Sequence, residues 1–442
     1  MILTHLRFQN YKAFESEYNL EIKPLTILIG PNSSGKSVIA RLPLLLERGF
    51  SGQSSAPLDL EFDSYDFAGV FRELVYNHSP RNNIRLGFSF KDDLSEEWSL
   101  AVNIQGFDEY DHLQIVESFE MHKGNKRIFK ARWTGSDPKS EPERYAIDTF
   151  NHNFWIEFSG MIPSLIKFLD GRTIPKNMQT NLMGIVLSGD QQPVYLQDYL
   201  RQKFKVNYLG PFREKPQRIY RFSGGRPTDV GPSGSHAPQM LAREASRKER
   251  KVLDDLGHWF YDYLGKWKLD VVKEGIGFSL VMFNPEQPNI QVNLRDVGTG
   301  IGQVLPMVAQ RMFDSVHGAT GGLEVVEQPE LHLHPQTHGD LADLYVKASQ
   351  KVDSRFLIET HSEIFLLRLR RRIAEGTLDP DNVIFYWIKG ESGKDKITPI
   401  HINEKGETDT WPTDVFSDAY KEITAMRRAR RIKKGQEGVH AG

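Results

Sequence analysis

The stretch LTILIGPNSSGKS, residues 25–37, constrains this chain more than any other. A continuous apolar run of strand length leads into a loop with Gly30 and Gly35 at its ends. Lys36, Ser37 and the apolar segment VIARLPLLLERG follow. The loop satisfies G-x-x-x-x-G-K-[ST] between a buried strand and a helix, the context that gives the motif its meaning. Backbone N–H groups of such a loop, at a helix N-terminus carrying about half a positive charge, cradle phosphates. Lys36 reaches the β and γ phosphates, and the Ser37 hydroxyl ligates Mg²⁺. Pro31, Asn32, Ser33, Ser34 and Val38 complete the binding loop, and Pro43 is expected to kink or shorten the helix after it.

The remaining pattern predicts an α/β chain. From Leu323 onward, the strands LEVVE, RFLIET and NVIFYWI alternate with helical segments, which implies a parallel sheet covered on both faces. The first 30 residues read as antiparallel strands that give way to the buried run. Four strand-like pieces between Ile84 and Trp133 predict an antiparallel sheet, whereas WIEFSGMIPSLIKFLDG and YLQDYLRQKF read as helices of an inserted lobe. We divide the 442 residues into 1–90 and 206–390, the two parts of one head, with an insert over 91–205 and a C-terminal segment over 391–442.

Bulk composition narrows the partners. Charged residues make up 26% of the chain and the formal net charge is −2, so any nucleic-acid surface must be local. Without cysteine there is no disulfide framework, Cys-ligated zinc or iron–sulfur cluster, and a cytoplasmic address is expected. The start, MILTHLRFQNYKAF, is polar and alternating, so a soluble, unprocessed protein is expected.

Two further strand ends carry chemistry. Glu327, closing LEVVE, is the expected second anchor for the metal or its water, because a phosphate loop demands a magnesium partner on a neighbouring strand. His361 lies just beyond RFLIET, and strand ends are where ligands bind in open α/β sheets. His332 and His334 lack a third ligand at metal spacing and are expected to be structural or dimer contacts. Arg213 and Glu214, in GPFRE, either reach the nucleotide or brace the loop.

The order NYKAF, GPNSSGKS, DVGTGIGQVLP, VVEQPELHLHP and ETHSE resembles the ABC-type ATPase heads shared by RecF, SMC proteins and OLD-family ATPases. YLGPFRE, VGPSGSHAP and ITPIHINEKGETDTWP are most similar to a group of predicted prokaryotic ATPases. The resemblance spans nearly the whole chain and is weakest over about residues 91–200. It implies a mixed-sheet head that binds ATP and Mg²⁺ and pairs with a second copy around the nucleotide. Gly298, Thr299, Gly300, Gly302 and Gln303 then form the signature loop that touches the γ-phosphate held by the other subunit, and His361 is the switch histidine. The serine usual in that signature has Gly302 in its place, leaving Thr299 or backbone amides to substitute.

Gln328 stands where many such heads carry the water-activating glutamate. Glutamine accepts no proton, so general-base help worth about 10²- to 10⁴-fold is missing. Three answers are open: Glu330 acts as base, Gln328 orients the water, or the dimer holds ATP for long periods. Slow turnover is expected.

OLD-family enzymes carry a Toprim nuclease after the head. The residues following Ile388 are read as too few for one, so a partner effector, a nuclease or toxin, is expected to do any cutting. RRARRIKK (427–434) and RLRRR (368–372) are the candidate DNA-contacting clusters. Two functions follow: a dimerising, slowly hydrolysing, DNA-linked ATPase switch that controls an effector in phage defence or DNA repair, or a scaffold whose bound ATP is structural.

Overall fold

The computed structural model describes residues 1–54, 56–62, 65–79, 83–110, 112–148, 150, 153–174, 185–187, 193–263, 265–318, 322–350, 354–390, 396–411 and 426. Its centre is a six-stranded sheet in the order Val206–Leu209, Leu323–Glu327, Arg355–Glu359, Leu25–Ile29, Val383–Ile388, Ile397–Ile400. The first five strands run parallel and the last is antiparallel. The strand that leads into the phosphate loop is therefore central, and Arg355–Glu359 lies between it and the LEVVE strand.

Side-chain alternation explains why these strands read as unbroken apolar runs. Leu25, Ile27 and Ile29 enter one core with Val326, Phe356 and Ile358, while Leu28 enters the other with Val325 and Leu357. Both faces are covered, so the alternate positions are largely apolar, and the charge inside LEVVE, Glu324, is paired with Arg311. The helix Lys36–Phe50 runs through Pro43 without division, so the expected shortening does not occur.

A nine-stranded antiparallel sheet lies alongside, running from Ile162–Phe168 at one edge through Ile84–Lys91 to Ile2–Gln9 and Tyr18–Glu21. The insert thus extends the N-terminal sheet. The helix expected over WIEFSGMIPSLIKFLDG is a hairpin instead, with strands Asn153–Ser159 and Ile162–Phe168 joined at Gly160 and Met161. Gly160 takes φ 61°, and its Cα faces the Gly49 carbonyl so closely that a Cβ would lie 2.2 Å from that oxygen. A helix could not provide that turn. Helix in the insert is present at Leu196–Lys203, as read from YLQDYLRQKF. Among the described residues no helix is long and apolar enough to cross a membrane.

The first parallel strand is tied to the phosphate-loop helix by Glu47, which accepts the Val206 N–H at 3.1 Å and faces Lys205 at 3.8 Å. Burial pushes this carboxyl up to about 7 against the pull of Lys205 and the Val206 N–H. The folded chain therefore holds a proton that the unfolded chain has released, and stability falls as pH rises through this window. Glu47→Gln is expected to remove that fall, becoming more stable relative to wild type by about 2 kcal/mol between pH 4.5 and 8. Denaturant titrations at several pH values check it.

Candidate nucleotide-binding site

Two parallel strands end in adjacent glutamates. Glu327 and Glu359 are register partners, and Glu359 in turn pairs with Leu28 of the strand that enters the phosphate loop. Both carboxylates are buried. The helix that follows the loop addresses them with Ser37 and Arg41, four residues apart and so on one face. Ser37 Oγ donates to Glu359 Oε2 at 2.8 Å. Arg41 forks onto Glu327, with Nε to Oε1 at 2.7 Å and Nη2 to Oε2 at 3.0 Å, and the Tyr208 hydroxyl adds a third bond to Oε1 at 2.8 Å. The carboxylate on the Ser37 hydroxyl is Glu359, whereas Glu327, the expected anchor for the metal or its water, is enclosed by Arg41 and Tyr208. Burial pushes the Glu359 carboxyl up to about 7, opposed by the Ser37 bond and reinforced by Glu327. The same causes, burial and the Glu327 charge, raise the Tyr208 hydroxyl.

The phosphate loop is held from below. Lys36 Nζ, nearly inaccessible to solvent, donates to the carbonyls of Gly30 at 3.0 Å and Pro31 at 2.8 Å and stands 3.9 Å from Glu359 Oε1. Burial lowers its pKa and the Glu359 charge opposes that shift. Ser34 is fully buried, and its Oγ has no hydrogen-bond partner among the described residues. Ser33 takes φ 61°. Gly35 takes φ 105°, and a Cβ there would lie 2.9 Å from Phe14 Cζ. Phe14 cannot retreat, because it is fully buried and packs edge-on against Phe8 and Tyr18. This is the structural meaning of NYKAF: its phenylalanine is the floor of the loop. Gly35→Ala is expected to destabilise the fold by about 1–3 kcal/mol and to weaken nucleotide binding, measured by thermal unfolding and nucleotide titration.

A cavity of about 880 Å³ opens over the loop. Asn32, Ser33, Gly35, Lys36, Ser37 and Val38 form its floor, with Gln328, Glu359 and His361 on one side. Burial first, and the Lys36 charge second, lower the pKa of His361, which keeps its imidazole neutral near pH 7. The lining also includes Lys12, Tyr76, Asn77 and His78, which sequence reasoning missed. Asn77 and His78 take φ 55° and 53°, a left-handed pair with no glycine to announce it.

Other expected residues lie behind this surface. Glu330 does not line the cavity; its Oε1 accepts the His361 N–H at 2.6 Å and its buried Oε2 has no partner among the described residues. Arg213 braces the loop and does not line the cavity, donating from Nη2 to the carbonyls of Glu327 at 3.0 Å and Gln328 at 3.3 Å. Glu214 fastens the neighbouring turn through its N–H to the Ser233 carbonyl at 2.8 Å. His334 caps the helix Pro335–Ser349.

None of Gly298, Thr299, Gly300, Gly302 and Gln303 lines the cavity of its own chain. Gly298 and Thr299 are exposed at the start of the helix Thr299–His317. Gly302, by contrast, is buried, and a Cβ there would lie 2.6 Å from Pro216 Cγ. The place expected to present a side chain to phosphate faces inward, which leaves Thr299 as the accessible hydroxyl of that loop.

The arginines of RLRRR, read as a candidate DNA-contacting cluster, are engaged within the chain. Arg368 and Arg372 both pair with Asp343, Arg371 pairs with Glu375, and Arg370 donates to the Gly406 carbonyl. These charges lace two helices and a turn together. The run 427–434 lies outside the described residues.

A phosphate loop on the central strand, a carboxylate strand two places away and a histidine-ended strand between them complete the architecture. The fold is that of an ABC-type P-loop ATPase head. No family model matches the chain. It is 21% identical over 376 residues to an OLD nuclease of Thermus scotoductus, an alignment covering 82% of this chain and 60% of that protein. The chain thus spans about 60% of the relative's length, and the resemblance to OLD-family heads read from the motifs is met there. Similar solved structures include an SMC head bound to the C-terminal winged-helix domain of ScpA, with 10% identity, a TM-score of 0.47 and coverage of 91% of this chain and 99% of that one. An SMC head domain from Thermotoga maritima has 10% identity, a TM-score of 0.39 and coverage of 91% and 100%. An SMC head with an extended coiled coil, bound to the C-terminal domain of ScpA and derived from Pyrococcus furiosus, has 9% identity, a TM-score of 0.45 and coverage of 96% and 99%.

Proposed function

We propose that this chain binds ATP with Mg²⁺, hydrolyses it slowly, and closes in pairs around the nucleotide as a DNA-linked sensor or regulator of a partner effector in phage defence or DNA repair. The observation that carries the nucleotide reading is the convergence of Lys36, Ser37, Gln328, Glu359 and His361 on one cavity above a phosphate loop. Lys36 holds the β and γ phosphates, and neutral His361 offers one ring N–H to the γ-phosphate. The cation supplies charge neutralisation of the triphosphate when bound. Its donors are hard oxygens, and the Ser37 hydroxyl and nearby carboxylates suit that ion. Gln328 orients the attacking water, since its amide accepts no proton.

Pairing is supported by the signature loop, which is exposed at a helix N-terminus and lies off the cavity of its own chain. Thr299 would meet the phosphates of a second copy. Molar mass by light scattering is expected to double with ATP in wild type and to stay monomeric in Thr299→Arg. Equal masses with and without ATP in wild type would sink the pairing. The DNA and effector parts rest on the nuclease name of the relative and on the motif resemblance.

One observation favours the second reading, a scaffold that keeps its ATP. Gln328 itself lines the cavity, where a general base would have to stand, and Glu330 does not. Phosphate release separates the two.

A further inference from the structure

We infer that the protein carboxylate serving the nucleotide's divalent cation is Glu359, partnered by Ser37, and that Arg41 and Tyr208 hold the neighbouring Glu327 out of that role. The inference rests on the nucleotide reading above and reassigns the anchor within it.

Geometry and hydrogen-bond accounting point the same way. Adjacent ligands of an octahedral Mg²⁺ at about 2.0–2.1 Å stand about 2.9 Å apart. Ser37 Oγ and Glu359 Oε2 are 2.8 Å apart, already the separation of two such ligands. Glu359 spends little of its acceptor capacity elsewhere: its Oε1 faces Lys36 Nζ at 3.9 Å, beyond hydrogen-bond reach. Its backbone is fixed by the Gln328 N–H, which donates to the Glu359 carbonyl at 2.8 Å, and its side chain lines the phosphate cavity.

Glu327 is the opposite case. Both its oxygens are taken, in three hydrogen bonds that include a two-point guanidinium fork. Such forks are among the strong polar contacts of proteins. Turning this carboxylate toward a cation would strip Arg41 and Tyr208 of their acceptor, and Glu327 does not line the cavity. The spacing of four on the helix makes the division of labour local: Ser37 serves one strand end and Arg41 the next. Glu327 is then a positioning residue that locks the helix to the sheet.

Mn²⁺ binding, followed by the loss of its free electron paramagnetic resonance signal, tests this with AMP-PNP bound to the full chain. Glu359→Gln is expected to weaken Mn²⁺ binding by at least about 10-fold, read at saturating AMP-PNP so that any change in nucleotide affinity is separated from the loss of the cation. Glu327→Gln is expected to leave Mn²⁺ affinity within about threefold of wild type, a shift below the usual cost of losing even an outer-shell partner. The reverse ranking overturns the assignment, as does equal binding by all three proteins. Glu359→Asp keeps the charge but withdraws the carboxylate, and covers the case in which Glu359→Gln does not fold; unchanged Mn²⁺ affinity there also overturns it. Failure of wild type to bind AMP-PNP in EDTA and in Mn²⁺ alike would instead remove the nucleotide reading on which the inference stands.

Discussion

Lys36→Ala is expected to weaken ATP binding by at least about 100-fold, read by calorimetry or by displacement of a fluorescent nucleotide. A hydrogen bond to a charged group contributes about 1.5–3 kcal/mol, and every 1.4 kcal/mol is tenfold in affinity. On the proposed reading Lys36 stands to lose more than one such contact, because its ammonium would reach the phosphates and it also ties down the carbonyls of Gly30 and Pro31. Removing it takes away the charge and loosens the loop that presents the backbone N–H groups. The helix it begins is packed along most of its length, so the variant is expected to fold. Unaltered affinity in a folded Lys36→Ala protein would place nucleotide binding elsewhere.

Gln328→Glu is expected to raise the rate of phosphate release, by up to about 100-fold, the lower end of what a positioned general base provides. The case rests on position. Residue 328 lines the cavity, its N–H is fixed by Glu359 and its carbonyl by Arg213, and its φ of 46° turns the side chain out of the strand direction. A carboxylate there would share the cavity with Glu359 and so hold a proton more readily than an isolated glutamate, which suits a base working near neutral pH. A rate that stays at the wild-type level would mean that the attacking water lies nearer another acceptor. Single-turnover measurements, with ATP loaded before the chase, separate a faster chemical step from faster nucleotide exchange.

How much of this was legible in the sequence depended on whether the cause was local. The phosphate loop could be read from residues 25–37 because strand, glycines, lysine and helix are contiguous. The parallel sheet was legible for a similar reason, since strands buried on both faces read as largely continuous apolar runs. The hairpin at Asn153–Phe168 was not. Its aromatic and β-branched residues also fit a helical stripe, and what decides the matter is Gly160 fitting against Gly49, more than a hundred residues away in the chain. The candidate site shows the same division. His361, expected from its place beyond a strand, lines the cavity. Glu359, two residues earlier, was passed over although RFLIE repeats the strand-end glutamate of LEVVE. Its partner Ser37 lies 322 residues away, and only the strand order brings them together. Arg41 and Tyr208 were invisible for the same reason, since each acquires its role from the enclosed Glu327.

Phosphate release from Mg-ATP by purified wild-type protein, set against Lys36→Ala as background, tests the central claim most directly. Slow, magnesium-dependent release that Lys36→Ala abolishes is the result expected of a hydrolysing head. Release no greater than the Lys36→Ala background, from a wild-type protein shown to hold ATP, would contradict hydrolysis and leave the nucleotide as a fixed part of a scaffold.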